Sequence, residues 1–261
     1  MATKKSAWVA FPHDNGAFVY AGAALKKNWA RLHKGDCEPF PTDKAVEEAW
    51  RLYHAGDFGG AVEAGLAAGL DGYNAANKAA CIYNNYLESG DAKKQKAYEE
   101  IAARCEELQA AQKKNANAFY LHAYALGRYG QLIGVAKALT QGIGGKVRTA
   151  LETAIKLDAK HADAHIALGT FNAEVIEKVG AMIGKMTYGV SKDNAVAMYQ
   201  QAIKLNPTSA VAHTEYADGL YKLFGNAKMK DVEKLYAEAI ALPPMDAMEC
   251  LDVEAAKAEM E

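Results

Sequence analysis

Proline is scarce in this sequence, with six residues among 261. Stretches rich in alternating valine, isoleucine and threonine, the pattern typical of strands, are also missing. Alanine, the residue that most favours helices, is abundant throughout, and so few prolines leave the helices uninterrupted. The sequence therefore predicts an all-α protein.

Cysteine is rare and scattered. The four cysteines stand at positions 37, 81, 105 and 250, and no two form a Cys-x-x-Cys motif. This spacing supports neither a zinc knuckle nor a redox pair. Scattered cysteines fit a reducing compartment, and the sequence favours a cytoplasmic location.

The first 25 residues lack a convincing export signal. Lys4 and Lys5 precede an apolar stretch, but the segment His13–Gly16 interrupts it. A secretory signal has an unbroken apolar core of about 7–15 residues, so this pattern agrees with the cytoplasmic prediction. No stretch approaches the roughly 20 apolar residues that a membrane span requires.

An excess of positive charge is absent as well. Thirty basic residues are offset by 32 acidic ones, which gives a net charge of −2. Nucleic-acid-binding domains usually carry a basic field that attracts phosphates. We therefore expect no nucleic-acid partner.

One helical phrase recurs in the second half of the chain. The segments Ala154–Asp158, Ala202–Asn206 and Ala239–Pro243 share one pattern, and each ends an amphipathic helical stretch. Such repetition indicates stacked helical pairs, each burying its apolar face against its neighbours. We predict an N-terminal helical extension over residues 1–41, about five helical pairs over residues 42–243, insertions near residues 130–146 and 178–192, and a C-terminal capping helix over residues 244–261. Within the extension we expect a helix over Phe18–His33, and Thr42 should cap the first repeat helix.

Small and aromatic residues recur at matching places within these pairs. They include Gly56, Asp57, Phe58 and Ala61 in the first pair, Leu126, Gly127 and Ala154 in the third, Leu168, Gly169, Ala195, Tyr199, Ala202 and Pro207 in the fourth, and Tyr221, Gly225, Tyr236 and Ala239 in the fifth. This pattern resembles the tetratricopeptide repeat, a helix–turn–helix unit of 34 residues. The resemblance implies a right-handed α–α superhelix that acts as a scaffold for protein partners.

The third and fourth pairs each carry extra residues at the same place. Both additions are rich in glycine and apolar residues. In this respect, and in the closing stretch Leu235–Leu251, the chain resembles the helical T-component of tripartite ATP-independent periplasmic transporters. That resemblance implies a homo-oligomer around a substrate-binding partner, with apolar clefts that carry a ligand.

The tetratricopeptide register also indicates which side chains line the concave groove. Carried over to this chain, it predicts a partner-binding surface made of Asn77, Asn84, Tyr124, Arg128, Gln131, Asp163, Thr170, Glu215 and Lys222. These residues are polar and carry both charge signs, so they suit an extended segment or a helix of a protein or peptide partner. A plain solvated face is the competing interpretation.

Two functions follow from these patterns. The first is a scaffold that binds a protein or peptide partner in its concave groove. The second is an oligomeric binding component that holds a small apolar or organic-acid ligand near the insertions. The apolar residues of the insertions have two interpretations of their own, because they could form a ligand cleft or a subunit contact, or they could pack on each other and enlarge the core.

Residues for catalysis are not evident in the sequence. His161 and His165 have the four-residue spacing of a helical zinc motif, but no glutamate and no third ligand accompany them as that motif requires. Serine, cysteine and histidine do not gather into a nucleophile–base signature. We therefore expect no enzyme activity, no metal and no cofactor.

Overall fold

The computed structural model describes residues 8–261 and is built from α-helices, with no strand among those residues. The prediction of an all-α fold is confirmed. Lys4 and Lys5, which entered the targeting argument, lie outside the described residues. The α-helices are α1 (Ala24–Leu32), α2 (Lys44–His54), α3 (Phe58–Ala67), α4 (Tyr73–Tyr86), α5 (Asp91–Ala111), α6 (Ala116–Ile133), α7 (Val135–Thr140), α8 (Ile143–Leu157), α9 (Ala162–Val179), α10 (Ala181–Tyr188), α11 (Lys192–Leu205), α12 (Ala210–Phe224), α13 (Met229–Ile240) and α14 (Ala247–Ala258).

Five helical pairs make up the body of the molecule. Helix α2 packs on α3, α4 on α5, α6 on α8, α9 on α11, and α12 on α13. The first helices of successive pairs also contact one another, as α4 contacts α6 and α9 contacts α12. This is the nearest-neighbour stacking expected of helical repeats, in which one pair buries the apolar face of the next.

Glycine allows close packing within the fourth pair and between the fourth and fifth pairs. The buried ring of Tyr199 on α11 lies against Gly169 of α9 and Gly219 of α12. A methyl group at Gly169 would lie 2.9 Å from that ring, and one at Gly219 would lie 2.5 Å from it. Both distances are too short for real carbon atoms, so the absence of a side chain sets how closely these helices approach.

The N-terminal extension is less helical than its apolar pattern predicts. A short 3-10 turn spans Gly16–Phe18, and α1 begins only at Ala24. The prediction of one helix over Phe18–His33 is therefore wrong at its start, because Val19 is extended and Gly22 adopts a positive φ of 55°. The predicted N-cap Thr42 is also wrong.

The residue that caps α2 is Asp43, whose carboxylate accepts a hydrogen bond from the backbone N–H of Ala45 at 2.7 Å. Threonine and aspartate both favour the N-cap position, and Thr42 and Asp43 are adjacent, so the sequence could not show which of them caps α2.

The C-terminal helix α14 contacts both ends of the repeat array. It packs on α12 and α13, the last pair, and it also reaches α2 in the first pair. Arg31 of the extension forms an ion pair with Glu249 at 2.6 Å, and His54 of α2 contacts Asp246 at 2.8 Å. The N-terminal extension, the first repeat and α14 share one apolar cluster. The array therefore closes on itself through α14.

A buried polar network, here called the interior clasp, runs along this closure. It comprises His33, Asp36, His54, Lys78 and Asp246. His33 contacts Asp36 at 2.9 Å and His54 at 3.2 Å, and Lys78 of α4 donates to Asp36. All five residues are at most 6% exposed. The clasp thus links the extension, the first two repeats and α14 inside the superhelix.

Candidate functional site

Six of the nine groove residues that the sequence indicates converge on one part of the interior. They are Tyr124, Arg128 and Gln131 on α6, Thr170 on α9, and Glu215 and Lys222 on α12. They meet because the first helices of the third, fourth and fifth pairs lie side by side. Glu174 of α9 joins them. We call the set Arg128, Gln131, Thr170, Glu174, Glu215 and Lys222 the polar rim.

Arg128 and Glu215 form the centre of the polar rim. The guanidinium of Arg128 donates to Glu215 at 3.1 Å and to the side-chain oxygen of Gln131 at 3.1 Å. The hydroxyl of Thr170 donates to the other carboxylate oxygen of Glu215 at 2.8 Å. Arg128 also lies over the ring of Tyr124, 5.4 Å from its centroid, which is within the range of a cation–π contact.

A second ion pair completes the polar rim. Lys222 donates to Glu174, and the amide of Gln131 donates weakly to the same carboxylate at 3.4 Å. Two cationic and two anionic side chains thus face one another across three helices. Their charges balance, so the rim presents polar groups without a net charge.

A mainly apolar cavity of about 160 Å³ adjoins these residues, and all of the polar rim except Lys222 contributes to its lining. Helices α6, α7, α8 and α9 supply its walls, and Leu126, Val135, Leu139, Val147, Phe171 and Val175 are among the residues that line it. Helix α7, which lines this cavity, belongs to the first insertion that the sequence indicates. The first insertion therefore contributes part of the cavity wall.

The other side of the cavity is formed by α4 and α14. Tyr86, Met248 and Asp252 line it there, and the hydroxyl of Tyr86 donates to Asp252. Burial raises the pKa of Asp252 to about 8, and nearby Asp246 adds to this effect although the bond from Tyr86 opposes it. At neutral pH the Asp252 carboxyl is therefore mostly protonated, which gives the cavity one uncharged O–H donor.

Of the remaining three groove residues, Asn77 and Asn84 lie away from the cavity and Asp163 lies at its border. Asn77 is fully buried, accepts from Arg104 at 2.7 Å and donates to the sulfur of Cys105. Asn84 is buried and donates to the carbonyl of Ala80. Both asparagines are buried and hydrogen-bonded inside the protein, and they present no surface to a partner, so we leave them out of the site.

Asp163, the third of these residues, lines the cavity at its border with the interior clasp, where Lys78 lies 3.8 Å away. The surface expected from the repeat register is interrupted here. The backbone N–H of Asp163 donates to the carbonyl of Gly35 at 3.0 Å, and Asn117 donates to the carbonyl of Asp36 at 3.0 Å. The extension therefore occupies part of the concave face.

Sequence reasoning missed Glu174, Tyr86 and Asp252. Glu174 lies one helical turn after Thr170 on α9, so a wider reading of the groove register would have included it. Tyr86 and Asp252 are 166 residues apart, and their contact depends on the return of α14 to the interior. No local pattern in the sequence signals that contact.

The histidine pair with zinc-like spacing has other partners. His161 is the N-cap of α9: its Nδ1 accepts from the backbone N–H of Ala164 at 3.1 Å, and its Nε2 contacts Asn117 at 2.9 Å. Burial lowers the pKa of His161 to about 4. The Nε2 of His165 lies 3.2 Å from the carbonyl of Ala159. Within residues 8–261, no group of three or more side chains suits a metal ion.

A search of the described part of the chain for a membrane span gives no candidate, since none of its helices combines sufficient length with sufficient hydropathy.

Comparisons with known proteins identify the architecture. No family model matches the chain, and no curated protein matches it either. Among solved structures it is similar to TTC0263, a thermophilic tetratricopeptide protein of Thermus thermophilus, with 14% identity, a TM-score of 0.57, and coverage of 82% of this chain and 97% of that one.

Two further structures are similar at lower TM-scores. MamA is 17% identical, with a TM-score of 0.42 over 84% of this chain and 99% of its own. YrrB, described as a tetratricopeptide protein with an unusual peptide-binding site, is 14% identical, with a TM-score of 0.41 over 90% of this chain and 100% of its own. The likeness to TTC0263, together with the stacked pairs, makes the chain a tetratricopeptide-like helical-repeat protein by fold.

Proposed function

We propose that this protein holds a small, largely apolar molecule in the cavity between its third, fourth and fifth repeats. The observation that carries the proposal is the cavity itself, which is walled by apolar side chains and adjoined by a polar rim whose charges are already paired. Ligand sites in proteins are typically concave and apolar, with a few polar groups that orient the ligand.

The size of the cavity limits the ligand. Its volume of about 160 Å³ is close to the roughly 150 Å³ of an engineered apolar cavity that takes up benzene. A single ring or a short branched chain therefore fits. Because the lining is mainly apolar, water gains few hydrogen bonds there, and an apolar ligand displaces it at little cost.

The charges near the cavity favour an uncharged ligand over an organic acid. An added carboxylate would have to compete with Glu215 for Arg128, since that guanidinium already makes a charge-assisted hydrogen bond. The protonated carboxyl of Asp252 instead offers a donor to a carbonyl or hydroxyl oxygen. We expect a cyclic ketone or a small alcohol to bind better than the corresponding carboxylate.

A blocked cavity tests this proposal. Gly127 lines the cavity, and a Cβ atom there would meet no atom within 4 Å, so Gly127→Leu starts its side chain in open space and extends it into the cavity. Gly145 on α8 also faces open space but does not line the cavity, which makes Gly145→Leu the matched control. Thermal-shift and native mass-spectrometry titrations would use cyclohexanone, benzene and benzoate.

The proposal predicts that the wild type and Gly145→Leu bind cyclohexanone or benzene in preference to benzoate, and that Gly127→Leu loses this binding. Equal binding by both variants, or binding of benzoate alone, would contradict it.

A protein or peptide partner at the polar rim is the second candidate. It is supported by the convergence of six groove residues and by the exposure of Gln131 at the rim. A photoreactive amino acid at position 131 tests it, with one at the exposed position 34 as control. A defined adduct in native lysate from position 131 alone supports this candidate, and the absence of such an adduct counts against it.

The wider setting follows from the same features. The chain would act as an oligomeric binding component of the transporter type if further copies or a membrane partner complete the site. The two insertions lie at corresponding places, and the first lines the cavity, which supports that role. All four cysteines are free thiols, which supports a reducing, cytoplasmic setting.

A further inference from the structure

Helix α10 exposes three large apolar side chains in a short span. Met182 is 75% exposed, Ile183 is 53% exposed and Met186 is 82% exposed. Among the large hydrophobic residues in the described part of the chain, the two methionines have the highest exposed fractions. Positions 182, 183 and 186 lie on one side of a helix. An apolar surface of this kind usually marks a contact with something outside the chain.

The charge of the two insertions points to the chemistry of that contact. Residues 134–148, which span α7 and the start of α8, and residues 178–192, the second insertion, contain six basic residues, namely Lys137, Lys146, Arg148, Lys178, Lys185 and Lys192, and no aspartate or glutamate. The rest of the chain has the other 24 of the 30 basic residues and all 32 acidic ones, a net charge of −8. Positive charge is therefore concentrated in these two segments.

Four of these cations are free to act outside the chain. Lys137, Lys146, Lys178 and Lys185 are exposed, and none forms an ion pair within residues 8–261. The other two have partners: Arg148 pairs with Glu152 at 2.7 Å, and Lys192 donates to the carbonyl of Leu223.

The two insertions are neighbours in space. The hydroxyl of Tyr188, the last residue of α10, donates to the carbonyl of Leu139 on α7 at 3.5 Å. Arg148 donates to the carbonyl of Tyr188, which joins α8 to the same corner. We call the surface formed by residues 134–148 and 178–192 the insertion edge.

We propose that the insertion edge docks on an anionic lipid bilayer. The side chains of Met182, Ile183 and Met186 enter the interfacial region, and the free lysines contact acidic headgroups. Short amphipathic helices bind membranes through this combination, with their axis in the plane of the interface. Helix α10 has eight residues, enough to lie on the surface and far too few to cross it.

A second copy of the chain suits this surface less well. A symmetric contact brings the same patch of each copy together, so the free lysines of one insertion edge would face those of the other. Like charges in such a contact repel, whereas anionic headgroups neutralise them.

Vesicle flotation of the full chain tests the proposal. The vesicles are phosphatidylcholine alone and an equimolar mixture of phosphatidylcholine and phosphatidylglycerol, each at low and high salt. We expect binding to the anionic vesicles at low salt, a large loss of that binding at high salt because salt screens exposed charges, and little binding to phosphatidylcholine. Vesicle binding that depends on neither lipid charge nor salt concentration would overturn the proposal.

Two pairs of variants separate the apolar and the electrostatic contributions. Met182→Ser/Met186→Ser and Lys178→Glu/Lys185→Glu should each weaken vesicle binding by on the order of tenfold. Their controls are Leu66→Ser/Leu70→Ser and Lys156→Glu/Lys160→Glu, which change exposed residues away from the insertion edge. Equal losses in the test and control variants would overturn the proposal.

A reporter on α10 adds a second measurement. Tryptophan placed by Ile183→Trp should shift its emission to the blue with anionic vesicles and remain unchanged with phosphatidylcholine. Size-exclusion chromatography tests the alternative of a dimer. If the chain forms a dimer that Met182→Ser/Met186→Ser dissociates, and it does not bind vesicles, the insertion edge is an interface between copies and the proposal is wrong. The cavity ligand is not needed in any of these experiments, so their outcome is independent of the proposed function.

Discussion

The protonation of single buried residues decides how this interior is held together. In the interior clasp, Nδ1 of His33 faces Asp36 and Nδ1 of His54 faces Asp246. Burial alone would raise the pKa of both carboxyls, yet Lys78 and His33 hold that of Asp36 well below its usual range, and His54 lowers that of Asp246. Both carboxylates are therefore ionised, and each Nδ1 carries a proton.

The Nε2 atoms of the two histidines also face each other, 3.2 Å apart. Burial lowers the pKa of His33 to about 4, so the His33 imidazole becomes charged only in acid.

Asp252 provides a prediction about pH. Its pKa is about 8 in the folded protein and ordinarily 3.8, so folding takes up a proton between these values. The folded state then binds more protons than the unfolded state, and this residue lowers the free energy of unfolding as pH rises from about 4 to about 8. Asp252→Asn keeps an oxygen for the Tyr86 hydroxyl and removes the titration.

We therefore expect Asp252→Asn to gain stability relative to wild type as pH rises, by up to about 1.4 kcal/mol per pH unit in that window. Urea unfolding at several pH values measures it. The exposed Glu233→Gln is the control and should follow the wild-type pH dependence. If Asp252→Asn showed the same pH dependence of stability as the wild type, the Asp252 carboxyl would ionise normally in the folded protein, contrary to this prediction.

Two helical glycines give a second prediction at the same scale. At Gly219 a methyl group would lie 2.5 Å from the Tyr199 ring, whereas at Gly127 it would meet nothing within 4 Å. We expect Gly219→Ala to lose about 1–3 kcal/mol of stability through overpacking. Gly127→Ala should gain about 0.5–1 kcal/mol through better helix propensity. Chemical denaturation compares them, and effects of the same sign and size would contradict this account of the packing.

Among the helices, α14 depends on Asp246 more than on any exposed contact. The carboxylate of Asp246 caps α14 by accepting from the N–H of Glu249 at 2.8 Å, and it also contacts His54. Asp246→Ala leaves the buried Nδ1 of His54 without its hydrogen-bond partner and uncaps the helix. We expect a loss of about 2–5 kcal/mol, the sum of an unsatisfied buried polar group and a lost cap.

The matched variants of Asp246 separate these two roles. Asp246→Asn keeps a capping oxygen and loses the charge, so its stability should lie between those of wild type and Asp246→Ala. Asp231→Ala removes an exposed carboxylate that pairs with Lys228 at 2.9 Å, and it should cost much less stability than Asp246→Ala, because solvent screens an exposed ion pair. Urea midpoints rank the three variants. Equal costs for Asp246→Ala and Asp231→Ala would mean that the clasp adds nothing to the attachment of α14.

The helices also show how far the sequence could predict the molecule. Contacts between neighbouring pairs follow from local patterns, and small residues such as Gly169 were recognised where Tyr199 packs. The position of α14 was not predictable, because Tyr86 and Asp252 meet across 166 residues and each alone is an ordinary helical residue. Six of the nine residues that the groove register indicates lie near one another on α6, α9 and α12, and their role in binding stays a prediction. The register gave no sign that residues 33–38 would share the interior.

The whole molecule differs from an open array because its last helix contacts its first repeat. In an open solenoid each repeat touches only its neighbours, so the ends can unfold before the middle. Here the apolar cluster around Trp29 and Trp50 includes Ala247 and Leu251 from α14. Loss of either end therefore exposes the other, and the closure couples repeats that are distant in sequence.

This coupling predicts that the protein unfolds in one cooperative transition. The three tryptophans, at positions 8, 29 and 50, all lie in or against the N-terminal cluster, so their fluorescence follows the first repeat, whereas circular dichroism follows every helix. The two signals should give the same urea midpoint in the wild type, as two-state unfolding requires.

A chain that ends after Met245 lacks α14, and its fluorescence midpoint should fall further than its dichroism midpoint. A chain that lacks only residues 259–261 is the control and should keep coincident midpoints. Separate midpoints in the wild type, or coincident ones without α14, would show that the repeats are coupled by nearest-neighbour contacts alone.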